Sequence, residues 1–284
     1  MAYFELGKYA EAELWLSRAE AADKTKIASE YNLGRIAFET GRYEEAARHF
    51  EKVLARDGSN VMALRALAYT RIKTGEIDKA EALYARVLAL VPDSLDDGYN
   101  HALVLVAMEK YEEAEKLLSS NSLILDENRD MLLLLARTQR ALGKVEAADT
   151  YDRWLKEGDD ALVRYEYAKI LEEAELYAKA LEEYQAVLVN LPGDSVNPAK
   201  ADVRFELARI FLIADTENPQ GMAELRTALE EGFEDREALE ALAADERISE
   251  AGREEIQELI RDRAGNTPEE TSGDTPEDVS EDTP

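Results

Sequence analysis

The chain has 284 residues, with 34 Lys and Arg against 62 Asp and Glu, and its formal net charge is −28. This charge argues against binding to nucleic-acid phosphates or to an anionic membrane surface. The absence of cysteine excludes disulfide bonds, thiol catalysis and thiolate metal sites.

Helical spacing dominates the pattern of apolar residues. Leu64, Leu67, Ala68 and Ile72 recur at steps of three and four, as in an amphipathic helix. The sequence has no Asn-Gly hairpin signal and no sustained alternation typical of strands. No apolar run approaches the ~18 residues that span a bilayer, so we expect no membrane insertion by this chain. The pattern predicts an all-α fold.

The chain repeats itself every 34 residues. An alanine marks each of five units, at Ala12, Ala46, Ala80, Ala114 and Ala148. A glycine shares the period in four units, at Gly7, Gly41, Gly75 and Gly143, and Glu109 takes the remaining slot. One pair of helices with its turns takes about 34 residues and cannot bury its apolar face alone. The period therefore predicts helix pairs that stack on one another.

The repeated residues resemble the tetratricopeptide repeat family. Gly34, Gly41, Tyr43, Ala46 and Phe50 carry most of one such motif. The next unit supplies the same pattern with Leu64, Leu67, Ala68, Gly75, Ala80, Tyr84 and Pro92. The resemblance implies a right-handed superhelical solenoid of antiparallel helix pairs. The glycine would end each first helix in a left-handed conformation.

The resemblance also divides the chain into units. The predicted units are a truncated first repeat at 1–26, repeats at 27–60, 61–94, 95–128, 129–160 and 161–194, a degenerate repeat at 197–233, capping helices at 234–264 and a disordered acidic tail at 265–284. The tail has seven acids, no bases and three prolines, so it cannot bury enough surface to fold. Met1 falls in the middle of a first helix, which predicts either a fragment or a native start upstream. The sequence leaves the compartment open; a signal or anchor upstream would favour an extracytoplasmic (periplasmic) location.

Residues suited to catalysis are scarce. His49 is expected on the outer surface in solvent, and His101 in the core with one nitrogen bonded. No triad, zinc site or phosphate-binding glycine loop can be assembled from the sequence. The aspartates at 93, 96 and 97 are expected to cap a helix rather than to bind calcium. Trp15 and Trp154 are expected to pack between helices. We predict a non-enzyme without metal or cofactor.

In tetratricopeptide arrays the first helices line a concave groove, and the resemblance implies which side chains face it. The predicted groove residues are Tyr31, Asn32, Arg35, Arg65, Tyr69, Lys73, Tyr99, Asn100, Arg137, Arg140, Tyr165, Lys169, Phe205 and Arg209. The ninth position of four repeats is a cation, at Arg35, Arg137, Lys169 and Arg209. These cations either bind an acidic segment of a partner or balance acids of the chain itself, such as Glu166, Glu172 and Glu206.

The sequence departs from one known binding subtype of the family, and this departure narrows the functions that the resemblance implies. The carboxylate clamp for chaperone tails is not matched, because Tyr31, Ala66 and Asp96 stand where that subtype has Lys, Asn and Lys. The leading hypothesis is a non-catalytic scaffold whose groove binds an extended or helical protein or peptide segment. The alternative is a structural subunit, or a homo-oligomer, that docks through the open N-terminal end of the solenoid. The acidic tail either competes for the groove or only solubilises the chain.

Overall fold

The computed structural model describes residues 6–22, 27–120, 128–193, 195–215 and 218–265. Within these ranges every secondary-structure element is a helix, which confirms the predicted all-α fold. The helices are α1 (Tyr9–Ala22), α2 (Ile27–Glu39), α3 (Tyr43–Arg56), α4 (Val61–Lys73), α5 (Ile77–Leu90), α6 (Leu95–Ala107), α7 (Tyr111–Ser119), α8 (Arg129–Ala141), α9 (Glu146–Lys156), α10 (Ala161–Glu173), α11 (Tyr177–Asn190), α12 (Lys200–Ala214), α13 (Pro219–Glu230), α14 (Arg236–Ala244) and α15 (Glu250–Gly265).

The chain divides into two compact units, Met1–Gly158 with α1 to α9 and Asp159–Pro284 with α10 to α15. None of the described helices combines the length and the apolar character needed to cross a membrane. The predicted acidic tail lies outside the described residues from position 266 onward. Both roles considered for it, competition for the groove and solubilisation, stay predictions.

Helix pairs build the first unit. Helices α2, α4, α6 and α8 are each followed by a short turn and packed against the next helix in the chain. Helices α3, α5 and α7 then pack against the first helix of the following pair. Leu64, Phe50, Tyr84 and Val87 are at most 3% exposed and form part of one core cluster between the pairs. Stacking therefore buries the apolar faces that a single pair would leave in water.

Side-chain caps fix where the first helices begin. Asn60 Oδ1 accepts a hydrogen bond from the Ala63 amide at 3.1 Å, and Asn128 Oδ1 accepts one from the Met131 amide at 3.1 Å. Each bond satisfies an amide that would otherwise have no partner in the first helical turn. The second helices α3, α5 and α7 begin without such a cap, directly after the tight turn that ends the first helix.

Glu109 adopts the backbone conformation of the glycines whose slot it occupies. Its φ is 58°, against 76° and 77° at Gly41 and Gly75. The hydrogen bond that closes the turn is also the same, because the Lys110 amide bonds the Leu105 carbonyl at 2.9 Å, as Glu76 bonds Arg71 in the preceding pair. In this left-handed conformation the Cβ of any residue other than glycine lies too close to a backbone carbonyl oxygen, which destabilises the fold.

Replacing Glu109 by glycine should therefore stabilise the chain. We expect Glu109→Gly to raise the free energy of unfolding by about 1 kcal/mol, because the left-handed strain outweighs the chain entropy that glycine adds. Urea denaturation followed by circular dichroism measures the change. The reverse substitution, Gly75→Glu, should lower stability by a similar amount. A Glu109→Gly variant that unfolds earlier than the parent would contradict this account of the turn.

The 34-residue register slips by one residue in α9. The 34-residue period places Ala148 in a packing position, but Ala148 is only partly buried. Ala147 is fully buried instead, and so is Tyr151, four residues further along the same helix face. The Ala147 and Ala148 amides bond the carbonyls three residues earlier, so the chain winds tightly over two successive residues here. This tighter winding turns Ala147 rather than Ala148 toward the core.

The second unit has two helix pairs, α10–α11 and α12–α13, followed by α14 and α15. Phe205 of α12 stacks on Phe233 with ring centroids 4.2 Å apart, and Leu239, Leu242 and Ile256 of the last two helices share the same core cluster. Helices α12 and α13 approach closely at Gly221, where a Cβ would lie 2.8 Å from Leu212 Cγ. Helices α14 and α15 thus complete the core of the last pair.

Candidate binding groove

The first helices of the first unit lie side by side and in register. Arg65 of α4 binds Asp97 of α6, with Nε 2.8 Å from Oδ1 and Nη2 2.5 Å from Oδ2. The Tyr69 ring of α4 lies 5.3 Å from the Phe38 ring of α2. These contacts and the packing of α6 against α8 place the four first helices beside one another. The surface that carries their predicted groove residues is called here the groove of the first unit.

A pocket of about 440 Å³ opens in this groove between α2, α4 and α6. Its lining consists of Tyr31, Met62, Arg65, Ala66, Tyr69, Tyr84, Asp96, Asp97 and Asn100. Met62 is 55% exposed and Tyr69 is 47% exposed, so both present apolar surface to solvent. Burial raises the pKa of Tyr84 to about 12, because the charged phenolate is poorly solvated there. The predicted groove residues Tyr31, Arg65, Tyr69 and Asn100 thus come together in one place.

The positive charge of Arg65 in this pocket is already neutralised by a carboxylate of the chain. Asp97 is 2% exposed, and both of its oxygens accept hydrogen bonds from the Arg65 guanidinium, whose pKa this pairing raises. The Ser94 hydroxyl caps α6 by accepting a hydrogen bond from the Asp97 amide at 3.4 Å. The cap predicted from the aspartates is therefore wrong in detail: Ser94 is the cap, and Asp97 holds Arg65.

In the second unit, the predicted groove cations Lys169 and Arg209 are held by acids of the chain. Lys169 Nζ lies 2.5 Å from Glu206 Oε1, and Arg209 Nη2 lies 2.6 Å from Glu172 Oε1 and 2.7 Å from Glu206 Oε2. The Tyr184 hydroxyl also donates to Glu172 at 3.2 Å. Burial raises the pKa of Glu172 although Arg209 opposes the shift. Lys169 and Arg209 therefore balance acids of the chain itself, which is the second of the two alternatives that the sequence left open.

Other predicted groove side chains are turned away from the surface or partly covered. Phe205 is only 5% exposed because it stacks on Phe233, so its assignment to the groove is wrong. The Asn32 amide donates to the Ala28 carbonyl of its own helix at 2.7 Å. Tyr165 is half-buried, with its ring 5.6 Å from that of Tyr184. Of the remaining predicted cations, Lys73 lies over the Tyr69 ring, and Arg35, Arg137 and Arg140 also have interaction partners.

Both histidines pair with glutamates. His49 was expected in solvent, but its Nδ1 lies 2.7 Å from Glu30 Oε2, and the two side chains are only 15% and 1% exposed. A carboxylate buried to this degree requires a hydrogen-bonding partner, which His49 supplies from the paired helix. His101 is 9% exposed and bonds Glu81 through Nε2 at 3.1 Å. Among the described residues, no group of three or more His, Cys, Asp and Glu side chains is placed to hold a metal ion.

The two tryptophans have opposite environments. Trp154 is 8% exposed and donates through Nε1 to the Arg129 carbonyl at 3.0 Å, as expected for packing between helices. Trp15 is 55% exposed, with the Arg18 guanidinium 5.2 Å from its ring centroid. The expectation that Trp15 packs between helices is therefore wrong, because no described helix covers that face of α1.

The predicted groove set leaves out three exposed side chains of the first unit. Met62, Asp96 and Asp130 each occupy the second position of a first helix, and each is exposed. The family resemblance already implies that this position faces the groove. The 34-residue spacing could therefore have predicted that these three side chains belong to the groove.

Comparison with known proteins identifies the class. Models of the tetratricopeptide repeat match residues 37–104 and 99–161. Residues 37–161 thus consist of tetratricopeptide repeats, and the predicted fold class, an all-α array of such helix pairs, is confirmed. No curated protein matches it in sequence. Proteins built from such repeats are in general scaffolds for protein interaction.

Solved structures share the fold at low sequence identity. A tetratricopeptide repeat protein from Parabacteroides merdae ATCC 43184 is 20% identical with a TM-score of 0.56, covering 85% of this chain and 93% of that chain. MamA from AMB-1 is 25% identical with a TM-score of 0.55, covering 61% and 96%. A chain in the structure of Naa15/Naa10 bound to HypK-THB is 15% identical with a TM-score of 0.59, covering 95% of this chain and 41% of that one.

Proposed function

We propose that this protein is a non-catalytic scaffold and that the groove of its first unit binds a segment of a partner protein. One observation carries the proposal: Met62 and Tyr69 are about half exposed on the lining of a pocket in that groove. Burying such apolar surface against a partner would release water and favour association. The tetratricopeptide fold supports an interaction role in general.

Tyr69 is the centre of the proposed site. Its ring packs on Phe38 on one side, and the Lys73 ammonium lies 5.3 Å from its centroid. A tyrosine held rigidly in this way loses little conformational entropy on binding, and such residues dominate interface energetics. Asn100 and the exposed part of Arg65 would hydrogen-bond the main chain of the bound segment.

A purely acidic segment is a less suitable occupant than the sequence suggests. It would need free cations, whereas Arg65, Lys169 and Arg209 each bind a carboxylate of the chain itself. Displacing any of these acids would leave a mostly buried negative charge without its partner. The proposal therefore rests on the apolar lining rather than on the cations.

The test is selection from a displayed library of random peptides. We expect the wild-type chain to enrich peptides that Tyr69→Ala binds at least about tenfold more weakly, since the substitution removes the central contact. Leu90→Ala is the matched control, because Leu90 is 45% exposed but lies on the second helix α5. Peptides that bind Tyr69→Ala as tightly as the wild type, or no enrichment at all, would overturn the proposal.

A second candidate function is self-association through α1 and the residues just before it. Leu6, Leu14 and Trp15 are 70%, 51% and 55% exposed and present apolar surface that a second copy of the chain could bury. Sedimentation velocity over a concentration series tests this candidate. A single monomeric species at every concentration would count against it.

A further inference from the structure

We propose that the segment bound in the groove of the first unit inserts one basic side chain, a lysine or an arginine, into the pocket between α2, α4 and α6. This inference rests on the proposed function and names the anchor residue that the same pocket selects. It comes from the different chemistry of two walls of the pocket and from the charge of Asp96.

Helix α4 forms an apolar wall of this pocket. Met62, Ala66 and Tyr69 line it at steps of four and three residues, which places them on one face of the helix. Met62 and Tyr69 are about half exposed. This wall therefore offers a surface along which the hydrocarbon part of a ligand side chain can pack.

Helix α6 forms a polar wall of the same pocket. Asp96 and Asn100 both line it, and their side chains are neighbours because they are one helical turn apart. The third polar residue of this wall, Asp97, is buried and already bound to Arg65. Asp96 is exposed, and no residue that the structure describes forms an ion pair or a hydrogen bond with its carboxylate. Asp96 is thus the acid of the pocket that a ligand can pair with.

The pocket has negative charge in excess. Its lining contains one cation, Arg65, and two acids, Asp96 and Asp97. The pKa of Arg65 is raised mainly by its hydrogen bonds to Asp97 and further by the charge of Asp96, so both carboxylates lie near this guanidinium. Lys73 contributes little at this end of the groove. It follows Met62 by eleven residues on α4, which corresponds to about 16 Å at 1.5 Å per residue and exceeds the ~8 Å reach of exposed charges in physiological salt.

A basic side chain matches both walls at once. Its aliphatic stem can pack along Met62 and Tyr69 while its charged head pairs with Asp96, as lysine and arginine side chains divide between apolar surface and polar surroundings. The half-buried Tyr31 of α2 adds an aromatic ring, which attracts a cation placed near its face. An apolar anchor would leave Asp96 without a partner, and an acidic anchor would be repelled by it.

Three displayed peptide libraries test the inference. Each surrounds one fixed central residue, which is lysine, leucine or glutamate, with random uncharged residues. We expect the wild-type chain to enrich the lysine library about fivefold over the leucine library, the size of effect expected from one partly exposed ion pair and one cation–π contact. The glutamate library should be enriched least. Selection at about 0.3 M salt shortens the reach of the protein's net charge, which would otherwise attract lysine to any surface.

Two charge reversals at the same repeat position show whether Asp96 determines the selection. Asp96→Lys should reverse the preference, so that the glutamate library is enriched most. Asp130→Lys is the matched control, because Asp130 is exposed at the second position of α8 but does not line the pocket. It changes the net charge by the same amount and should keep the preference for lysine. Circular dichroism verifies that both variants are folded.

Calorimetry with the most enriched lysine peptide measures the contact itself. Replacing its central lysine by norleucine keeps the stem and removes the charge. The replacement should weaken binding to the wild-type chain about fivefold and binding to the Asp96→Asn variant less than about twofold, because the ion pair is already absent there.

The outcomes separate this inference from the proposed function. A leucine or glutamate library enriched as strongly as the lysine library, or an order that Asp96→Lys leaves unchanged or Asp130→Lys reverses equally, would overturn the basic anchor. Tyr69→Ala provides the second readout. If it weakens the enriched peptides while the charge of the anchor has no effect, the groove is the binding site and only the anchor assignment fails. If no library is enriched, or if Tyr69→Ala weakens none of the peptides, both proposals fail.

Discussion

Trp154→Ala should lower the free energy of unfolding by about 3–5 kcal/mol, the range for removing a large buried aromatic side chain. Trp154 is 8% exposed, and its Nε1 donates to the Arg129 carbonyl at 3.0 Å at the beginning of α8. The Arg129 guanidinium lies 4.0 Å from the ring centroid. The substitution would remove the packing, the hydrogen bond and the cation–π contact that join α9 to α8.

The second tryptophan is a matched control for this measurement. Trp15 belongs to the same unit but is 55% exposed, so Trp15→Ala should change stability by less than about 1 kcal/mol. Urea denaturation followed by circular dichroism compares the two variants. Trp154→Phe should fall between them, because it keeps much of the packing and loses the hydrogen bond. Equal losses for the two alanine variants would show that Trp154 does not anchor α9.

The helices could be predicted from the sequence because their signals are local. The 34-residue period and the left-handed slot at Gly41, Gly75 and Glu109 mark where first helices end. The register of α9 could not be predicted in this way. After Gly143, the Ala147 and Ala148 amides bond carbonyls three residues earlier, and this hydrogen-bond pattern rotates α9. The 34-residue period of the sequence does not indicate where such a pattern occurs.

The candidate site was predicted only in part, because its charges depend on partners distant in sequence. The groove positions of Tyr31, Tyr69 and Asn100 follow from their place in the repeat. The pairing of Lys169 with Glu206 spans 37 residues, and that of Arg65 with Asp97 spans 32, so composition alone could not decide between binding and balancing. Phe205 was misplaced for a similar reason, since the ring that covers it, Phe233, follows the last helix pair.

Glu206→Gln should cost about 2 kcal/mol of stability. Glu206 is 8% exposed and binds both Lys169 and Arg209, so the substitution leaves two cations with one carboxylate, Glu172. Removing one member of a buried charge network costs several kcal/mol, and the partial exposure of the two cations reduces that cost here. Glu240→Gln is the control, because Glu240 pairs with Arg236 on an exposed face of the same unit and should matter little.

A double-mutant cycle decides what the cations of the second unit do. If Glu206 and Lys169 form the ion pair, Lys169→Met should cost less in the Glu206→Gln background than alone, with a coupling of about 1 kcal/mol in urea denaturation. Such coupling means that an acidic ligand must compete with the chain's own carboxylate for Lys169. Additive losses would mean that the pair contributes nothing. Lys169 would then be available to a partner, and the binding interpretation of the sequence would hold for this cation after all.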